Sequence, residues 1–184
     1  MMTILIRRSI LVALATVAAL AACDESQTPS PEPLGLEATR WALEPATSQG
    51  LAELRHATAA YHDVAVAMED GFEQILPCIE RPDGPGGLGI PYGKLDRFDA
   101  NVDLSEPEIL FYEPQKNGSL RLVGAEPVIP IALWTESTPP SLFGREFHRN
   151  EEHGLYGLHM WVWRHNPDGM FAFWHPDVSC EFAD

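Results

Sequence analysis

The sequence predicts an α+β domain in which one long N-terminal amphipathic helix packs on a mostly antiparallel sheet. Two observations lead to this fold class. Apolar residues recur at steps of three and four through residues 48–75, whereas short apolar runs separated by glycine and proline turns follow residue 107. No internal repeat interrupts this order. The roughly 140 residues after position 45 suffice for one ordinary domain with its own core, which we assign to residues 46–184.

The first 22 residues have the pattern of a secretory signal peptide. Arg7 and Arg8 precede a short apolar core, and Ala21 and Ala22 lead directly into Cys23. The apolar run is shorter than the ~20 residues that a membrane-spanning helix needs. The pattern resembles the lipobox of bacterial lipoproteins. This resemblance implies that the chain is cleaved before Cys23, which becomes the lipidated first residue and the membrane anchor.

Residues 23–45 predict a flexible tether, because they are rich in proline, serine and threonine. Asp24 directly follows the cysteine, and this resembles the inner-membrane retention signal of enterobacterial lipoproteins. The implied location is the periplasmic face of the inner membrane. Removing residues 1–22, which carry two arginines and no acids, changes the formal net charge from −15 to −17. Such a polyanion is repelled by nucleic acid, so no nucleic-acid partner is expected.

Two cysteines remain for the folded domain once Cys23 carries lipid. In an oxidising compartment, Cys78 and Cys180 are expected to form one disulfide bond. The alternative is a pair of free, buried thiols. The chain has no Cys-x-x-Cys motif, so thiol redox chemistry is not expected.

The predicted helix covers residues 48–75. Ser48 is a candidate N-cap, Gly71 is a candidate terminator, and Pro77 prevents continuation. His62 lies at the edge of the apolar stripe and is either a solvated side chain or an acid/base group paired with a carboxylate. The stripe itself consists of Leu51, Leu54, Thr58, Tyr61, Ala65, Met68 and Phe72.

The remaining elements are a loop and several strands. Residues 81–93 are rich in glycine and proline and predict a long loop without a nucleotide-binding motif. Residues 108–123 predict a hairpin that turns at Asn117-Gly118. Pro127 and Pro130 restrict residues 128–134 to an edge or irregular strand. Residues 157–165 form the clearest predicted strand, followed by another at 170–174.

The predicted strand at 157–165 carries the residues we consider most informative about function. Alternate side chains of a strand share a face, so His159, Trp161, Trp163 and His165 are expected on one side. Two imidazoles and two indoles form a wall suited to a ligand pocket. The alternative is that the aromatic residues are ordinary core and the imidazoles are hydrogen-bonded.

A metal site is a further hypothesis, because histidines and acids cluster just before this strand. His148, His153 and His159 are the predicted ligands, imidazoles that suit Zn or Cu, with His175 as a further candidate. Glu151 or Glu152 is the acid/base group if the site is catalytic. The alternative is a charged, solvated loop. Nucleophilic catalysis is not indicated, since the chain has no Gly-x-Ser-x-Gly motif.

Seven short motifs and a closing segment together resemble a group of uncharacterised secreted bacterial proteins. The resemblance spans most of residues 60–180 and implies a single exported domain, without an activity. In that group the glycine loop continues into a His-Tyr pair, where this chain has Pro91 and Tyr92; we include Tyr92 among the predicted ligand-binding residues. The motifs are Tyr61-His62-Asp63-Val64, Leu76-Pro77-Cys78-Ile79-Glu80, Gly86-Gly87-Leu88-Gly89, Pro107-Glu108-Ile109-Leu110-Phe111-Tyr112-Glu113-Pro114, Leu120-Arg121-Leu122-Val123-Gly124, Leu142-Phe143-Gly144 and Leu158-His159-Met160-Trp161, with Trp174-His175-Pro176-Asp177-Val178-Ser179-Cys180 at the end.

The sequence therefore predicts a lipid-anchored extracytoplasmic binding module with an aromatic and histidine-lined pocket for a small molecule or a metal ion. Trp161, Trp163, His165, His62 and Tyr92 are the predicted ligand-binding residues. Two alternatives stay open: an extracytoplasmic metal-dependent enzyme, and a structural or assembly lipoprotein without a ligand.

Overall fold

The computed structural model describes residues 44–183, so the predicted signal peptide, Cys23 and most of the tether lie outside the described residues. Within that range the chain combines short helices with antiparallel sheets, as the sequence predicts at this level. Helix α1 begins at Pro45, the last residue assigned to the tether, and spans Pro45–Thr58. Proline at the first helical position fits a helix start, because its missing N–H has no intrahelical partner there. Ser48 lies inside the helix and is not its N-cap.

The prediction of one long helix is wrong, because the helical segment breaks after Thr58. The Thr58 hydroxyl donates to the carbonyl of Leu54 at 2.7 Å, and a 3₁₀ turn follows at Ala59–His62. The backbone is then extended at Asp63, whose carboxylate accepts from Ala65 N and caps the short helix α2, Val64–Glu69. Threonine and aspartate compete with helical hydrogen bonding in this way. The apolar stripe therefore ends at Thr58, and Met68 is 56% exposed.

The main sheet is antiparallel and is built around the segment that we predicted to be a loop. The order is β1 (Glu73–Gln74), β3 (Gly87–Gly93), β4 (Ile109–Pro114) and β5 (Leu120–Glu126), and β2 (Ile79–Glu80) also pairs with β3. The hairpin of β4 and β5 confirms the predicted turn at Asn117-Gly118.

Glycine makes β3 possible rather than preventing it. A Cβ atom at Gly89 would lie 2.4 Å from the carbonyl oxygen of Tyr112 on the neighbouring strand. Gly89 also has a φ of +85°, which a larger residue adopts only with strain. In a regular strand, residues 88, 90 and 92 would lie on the same side of the sheet. Here the alternation shifts at Gly89, since Leu88 packs on one side whereas Ile90 and Tyr92 pack on the other.

A second sheet lies after the hairpin, with β10 (Leu155–Gly157) in its centre. It pairs with β6 (Val128–Pro130) and β9 (His148–Asn150), all antiparallel. The short β6 at the edge agrees with the limit that the prolines impose. Between these strands, β7 (Ser141–Leu142) and β8 (Arg145–Glu146) form a small hairpin.

The predicted strands at 157–165 and 170–174 are wrong. Strand β10 ends at Gly157, and the following segment runs beside β5 through the isolated bridge Ala125↔Met160. There the N–H of Val162 donates to the carbonyl of Met160 at 2.8 Å. Such a tight turn interrupts a regular ladder, because it uses the groups that a neighbouring strand would need. Residues 170–174 form turns and a bend instead of a strand.

The predicted disulfide is confirmed. Cys78 and Cys180 are bonded, with their Cα atoms 5.8 Å apart and a sequence separation of 102. The bond attaches the C-terminal tail to the start of β2. The bridge Gly87↔His175 holds the tail against β3 as well.

Candidate functional site

Both faces of the main sheet are apolar, and the cavity of interest lies on the face away from helix α1. Leu110 and Tyr112 of β4 pack in the core cluster that contains Leu51 and Leu54 of α1. Ile109 and Phe111, which alternate with them along β4, pack in a second cluster on the opposite face. That second face is covered by the β6-β10-β9 sheet and by the tail.

The cavity on the second face has a volume of about 550 Å³. This is the size of a pocket for a small molecule. Apolar side chains form most of its walls, and the polar side chains divide into a buried pair at the base and an exposed rim. The lining residues are Ile75, Leu76, Ile79, Glu80, Pro82, Leu88, Pro91, Ile109, Phe111, Glu126, Val128, His148, Asn150, Glu152, His153, Leu155, Gly157, His159, Phe173 and Trp174.

The base of the cavity holds a carboxylate and an imidazole. Nδ1 of His159 lies 2.7 Å from Oε1 of Glu126, and their side chains are 5% and 10% exposed. Glu126 ends β5, and His159 follows β10, so the junction of the two sheets brings them together. Gly157 makes room for the carboxylate, because a Cβ there would lie 2.2 Å from Oε1.

The imidazole of His159 stacks on Phe111, with ring centres 4.7 Å apart and planes 28° apart. Phe173 lies on another side at 4.9 Å. Although Nδ1 is within ion-pair distance of Glu126, the ring is not oriented for a hydrogen bond. Neither ring nitrogen therefore has a hydrogen-bond partner within residues 44–183. Such a buried polar group costs about 1–3 kcal/mol, so its position requires an explanation.

The rim contains the other two predicted metal ligands. His148 and His153 are exposed and line the cavity with Glu152, whereas His159 lies at the base. His148 also contacts Phe173, with ring centres 4.5 Å apart. Within residues 44–183, no three histidine, cysteine or acidic side chains are grouped closely enough to hold a metal ion. The three histidines thus share one cavity without forming a metal-ligand cluster.

Glu151, the other predicted acid/base residue, lies outside the cavity lining. Its carboxylate is 2.6 Å from Arg149 and strongly exposed.

The predicted aromatic wall separates in the structure. Trp161 is 2% exposed and packs in the second cluster, 6.0 Å from the ring of His159, and its indole N–H donates to the carbonyl of Ala172. Trp163 instead contacts the helical side, where its indole N–H donates to the Thr58 hydroxyl at 2.9 Å. The two indoles are therefore structural, and neither lines the cavity.

The other three predicted ligand-binding residues also lie elsewhere. His165 is exposed, and His62 packs edge-on against Trp163 at 4.3 Å. Tyr92 is buried in the first cluster, 5.1 Å from Tyr112. Of the predicted residues, the cavity combines only His148, His153, His159 and Glu152; His175 is fully buried in the tail.

Sequence reasoning missed Glu126, Phe111 and Phe173. A signal for Glu126 was present, because it is the single charged residue between positions 122 and 135. A lone acid in an apolar run is often either at a turn or buried with a purpose. Phe111 and Phe173 gave no distinguishing signal, since aromatic residues are common in cores.

Glu108 directly precedes β4 and contacts Val128, which lines the cavity. It is 3% exposed, and its carboxylate accepts a hydrogen bond from the N–H of Val128 at 3.0 Å. Burial raises the pKa of Glu108 to about 7 from an ordinary 4.5. This buried acid is thus partly protonated near neutral pH.

No protein-family profile, curated protein or solved structure matches this chain. Among the helices of residues 44–183, none has the length and apolar character needed to span a bilayer. The lining of the cavity and its buried pair of Glu126 and His159 are therefore the features that indicate function.

Proposed function

We propose that this protein is a lipid-anchored extracytoplasmic binding module whose cavity takes a small molecule with an apolar body and one polar end. The observation that carries the proposal is an apolar cavity of about 550 Å³ with the buried pair of Glu126 and His159 at its base. Pockets for small molecules combine apolar walls with a few polar groups that fix orientation. The cavity has this composition.

The composition of the lining favours binding over catalysis by a hydroxyl, thiol or amine nucleophile. Among the side chains that line the cavity in the described part of the chain, there is no serine, threonine, cysteine, lysine or tyrosine. These residue types supply the hydroxyl, thiol and amine nucleophiles of covalent mechanisms. Cys78 and Cys180 are bonded to each other, so neither supplies a thiol.

The cellular address is part of the proposal and is supported by the sequence alone. The signal-like residues 1–22 and the lipobox-like Ala21-Ala22-Cys23 support anchoring through lipid on Cys23. Asp24 supports the periplasmic face of the inner membrane. The disulfide fits an oxidising compartment.

One observation favours a second candidate, an acid–base enzyme. A carboxylate 2.7 Å from an imidazole is the residue pair of a carboxylate–imidazole base, here beside a cavity of small-molecule size. A rotation of the His159 ring would form the hydrogen bond that orients such a base. A metal-dependent version of this enzyme would use the rim histidines His148 and His153, which share the cavity with His159. Elemental analysis of the purified protein distinguishes this version, since a stoichiometric metal lost in His148→Ala supports it.

The binding proposal is tested by filling the cavity. Residues 24–184 are exported behind a signal that lacks the lipid-accepting cysteine, which keeps all of the described residues 44–183. The neutral fluorescent probe N-phenyl-1-naphthylamine reports occupancy. Leu155 lines the cavity and is half-buried, so Leu155→Trp is expected to abolish probe binding while the protein stays folded.

Leu120→Trp is the matched control, because Leu120 is also a half-buried strand residue but packs against the first cluster. It is expected to bind the probe like the wild type. Absence of binding by the wild-type protein, or equal binding by both variants, would contradict the proposal.

A further inference from the structure

The charge of the cavity indicates which ligands it accepts, given the proposed function, on which this inference rests. Its lining contains three carboxylates, those of Glu80, Glu126 and Glu152. Within the described residues, neither lysine nor arginine contributes to the lining. A low-dielectric cleft lined by one sign of charge attracts ligands of the opposite sign. The chain as a whole, at a formal −15, adds to this attraction.

Glu126 differs from the other deeply buried acids in the described range. Glu113 is 6% exposed, but it pairs with Arg121 and Arg164 and accepts from the N–H of Ser179. Glu108 accepts from the N–H of Val128. Glu126, at 7% exposure, has only the misoriented imidazole of His159 beside it within residues 44–183.

Burying a carboxylate is costly unless it is paired and hydrogen-bonded. The fold pairs Glu113 with two guanidinium groups and gives Glu126 none. A positively charged ligand would supply the ion pair that Glu126 lacks within the described residues.

His159 is 5% exposed and lines the same cavity. When Nδ1 carries the proton beside the carboxylate of Glu126, Nε2 is an acceptor. Both groups at the base then accept hydrogen bonds. An ammonium group has three donors and no acceptor, so it matches this pair better than a hydroxyl or a carboxylate does.

Aromatic side chains form the walls around that base. Phe111 and Phe173 flank the imidazole, and Trp174 packs edge-on against Phe173 at 4.8 Å. Aromatic faces attract organic cations and also cover apolar surface. The same walls therefore accommodate both parts of a protonated amine with an apolar body.

We infer that the cavity selects organic cations, namely protonated amines carrying an aromatic or aliphatic body, and that Glu126 receives the ammonium group. His159 is a second acceptor for the same group. Glu80 and Glu152 at the cavity attract the cation but are not required for its direct contact.

The test compares three ligands of matched shape on the form of the protein with residues 24–184. They are 2-(1-naphthyl)ethylamine, the neutral 2-(1-naphthyl)ethanol and the anionic 3-(1-naphthyl)propionate, and calorimetry at pH 7 measures their affinities. The amine is expected to bind about tenfold or more tightly than the alcohol, and the propionate least. Equal binding of amine and alcohol, or preference for the anion, overturns the inference.

Substitution at Glu126 tests the assigned contact. Glu126→Gln is expected to weaken amine binding about tenfold or more and to leave alcohol binding within about twofold. Glu151→Gln is the matched control, because Glu151 pairs with Arg149 outside the lining, and it is expected to bind the amine like the wild type. An unchanged amine affinity in Glu126→Gln overturns the assignment.

The comparison of amine and alcohol uses the wild-type protein, so it remains decisive if Glu126→Gln does not fold. The measurements also distinguish a failure of this inference from a failure of the binding proposal. If the alcohol and the neutral fluorescent probe bind but the amine has no advantage, the inference is wrong and the binding proposal stands. If no ligand and no probe binds, both are wrong.

Discussion

The two faces of the main sheet share the same strands but are covered differently. On the first face, helix α1 supplies a continuous row of buried side chains, Leu51, Leu54 and Thr58, and the hydroxyl of buried Tyr112 donates to the carbonyl of Tyr61 at 2.7 Å. On the second face, short strands and an irregular tail leave a cavity of about 550 Å³, at which the imidazole of His159 has no hydrogen-bond partner among residues 44–183. A regular helix fills the space above a sheet, whereas irregular cover leaves room for a ligand. The second face is therefore where function is expected.

The largest expected effect comes from releasing the tail that covers the second face. The double substitution Cys78→Ser/Cys180→Ser removes a bond that closes a loop of 102 positions. In the chain-entropy model this costs about 4–5 kcal/mol of unfolding free energy. Because Phe173 and Trp174 in this tail form part of the cavity wall, probe binding is expected to weaken too. Urea unfolding with and without reductant measures the effect. A loss below about 1 kcal/mol would contradict the expectation.

The next effect is a difference in unfolding free energy between substitutions at two neighbouring residues of β4 that point to opposite faces. Leu110 is fully buried beneath the helix, whereas Ile109, at 4% exposure, lines the cavity. Leu110→Ala is expected to cost about 4 kcal/mol, because it creates a new void in a filled core. Ile109→Ala is expected to cost about 2 kcal/mol, because it enlarges a cavity that already exists. Denaturant unfolding of both variants measures the difference. Equal losses would mean that the two faces are equally well packed.

The first face was predictable from sequence to a greater extent than the second. Local signals sufficed for the start of the helical stripe and for the Asn117-Gly118 hairpin. On the second face, cysteine count alone predicted the disulfide that holds the tail. The break after Thr58 was missed because the apolar residues keep their helical spacing beyond it. The spacing does not show that the Thr58 hydroxyl donates to the carbonyl of Leu54. Strand β3 was missed because glycine usually indicates a loop. Here the glycines allow the backbone of β3 to approach neighbouring backbone closely, which depends on the tertiary structure and not on the local sequence.

The candidate site depends on contacts that no local pattern encodes. His159 was correctly singled out, but its neighbours in the sequence, Trp161 and Trp163, diverge into two different clusters. Its partner Glu126 lies 33 positions earlier and meets it only because β5 and β10 end at the same junction. Periodicity assigns a residue to a face of one element, and it cannot show where the ends of two elements meet.

The third effect comes from Glu108, the buried acid that is hydrogen-bonded to the cavity-lining Val128. The pKa of Glu108 is raised to about 7 from 4.5, so the folded state holds its proton more strongly than the unfolded state. Stability is therefore expected to fall as pH rises from about 4.5 to 7, by up to about 3 kcal/mol from this group. Glu108→Gln should remove this slope while keeping an acceptor for Val128. Exposed Glu106→Gln is the control and should retain it. Thermal unfolding at pH 5 and pH 8 distinguishes the two.

The smallest expected effect has the opposite sign and comes from His175 in the tail. This side chain is fully buried; its Nδ1 accepts from the N–H of Asp177, so Nε2 carries the proton and donates to the carbonyl of His165. Burial, together with the nearby Arg164, lowers the pKa of His175 below its ordinary 6.5. The unfolded state then binds the proton more strongly, so this contribution to stability is complete above about pH 6.5 and is lost as pH falls.

The slopes from His175 and Glu108 oppose each other between about pH 4.5 and 6.5, so the wild-type protein shows only their difference. Glu108→Gln exposes the His175 slope, and its stability is expected to fall on acidification from pH 7 to pH 5. Adding His175→Asn to that variant should flatten the curve, whereas adding exposed His165→Gln should not. A flat curve in Glu108→Gln alone would mean that the tail is not held by neutral His175, and the second face would then have looser cover than its hydrogen bonds indicate.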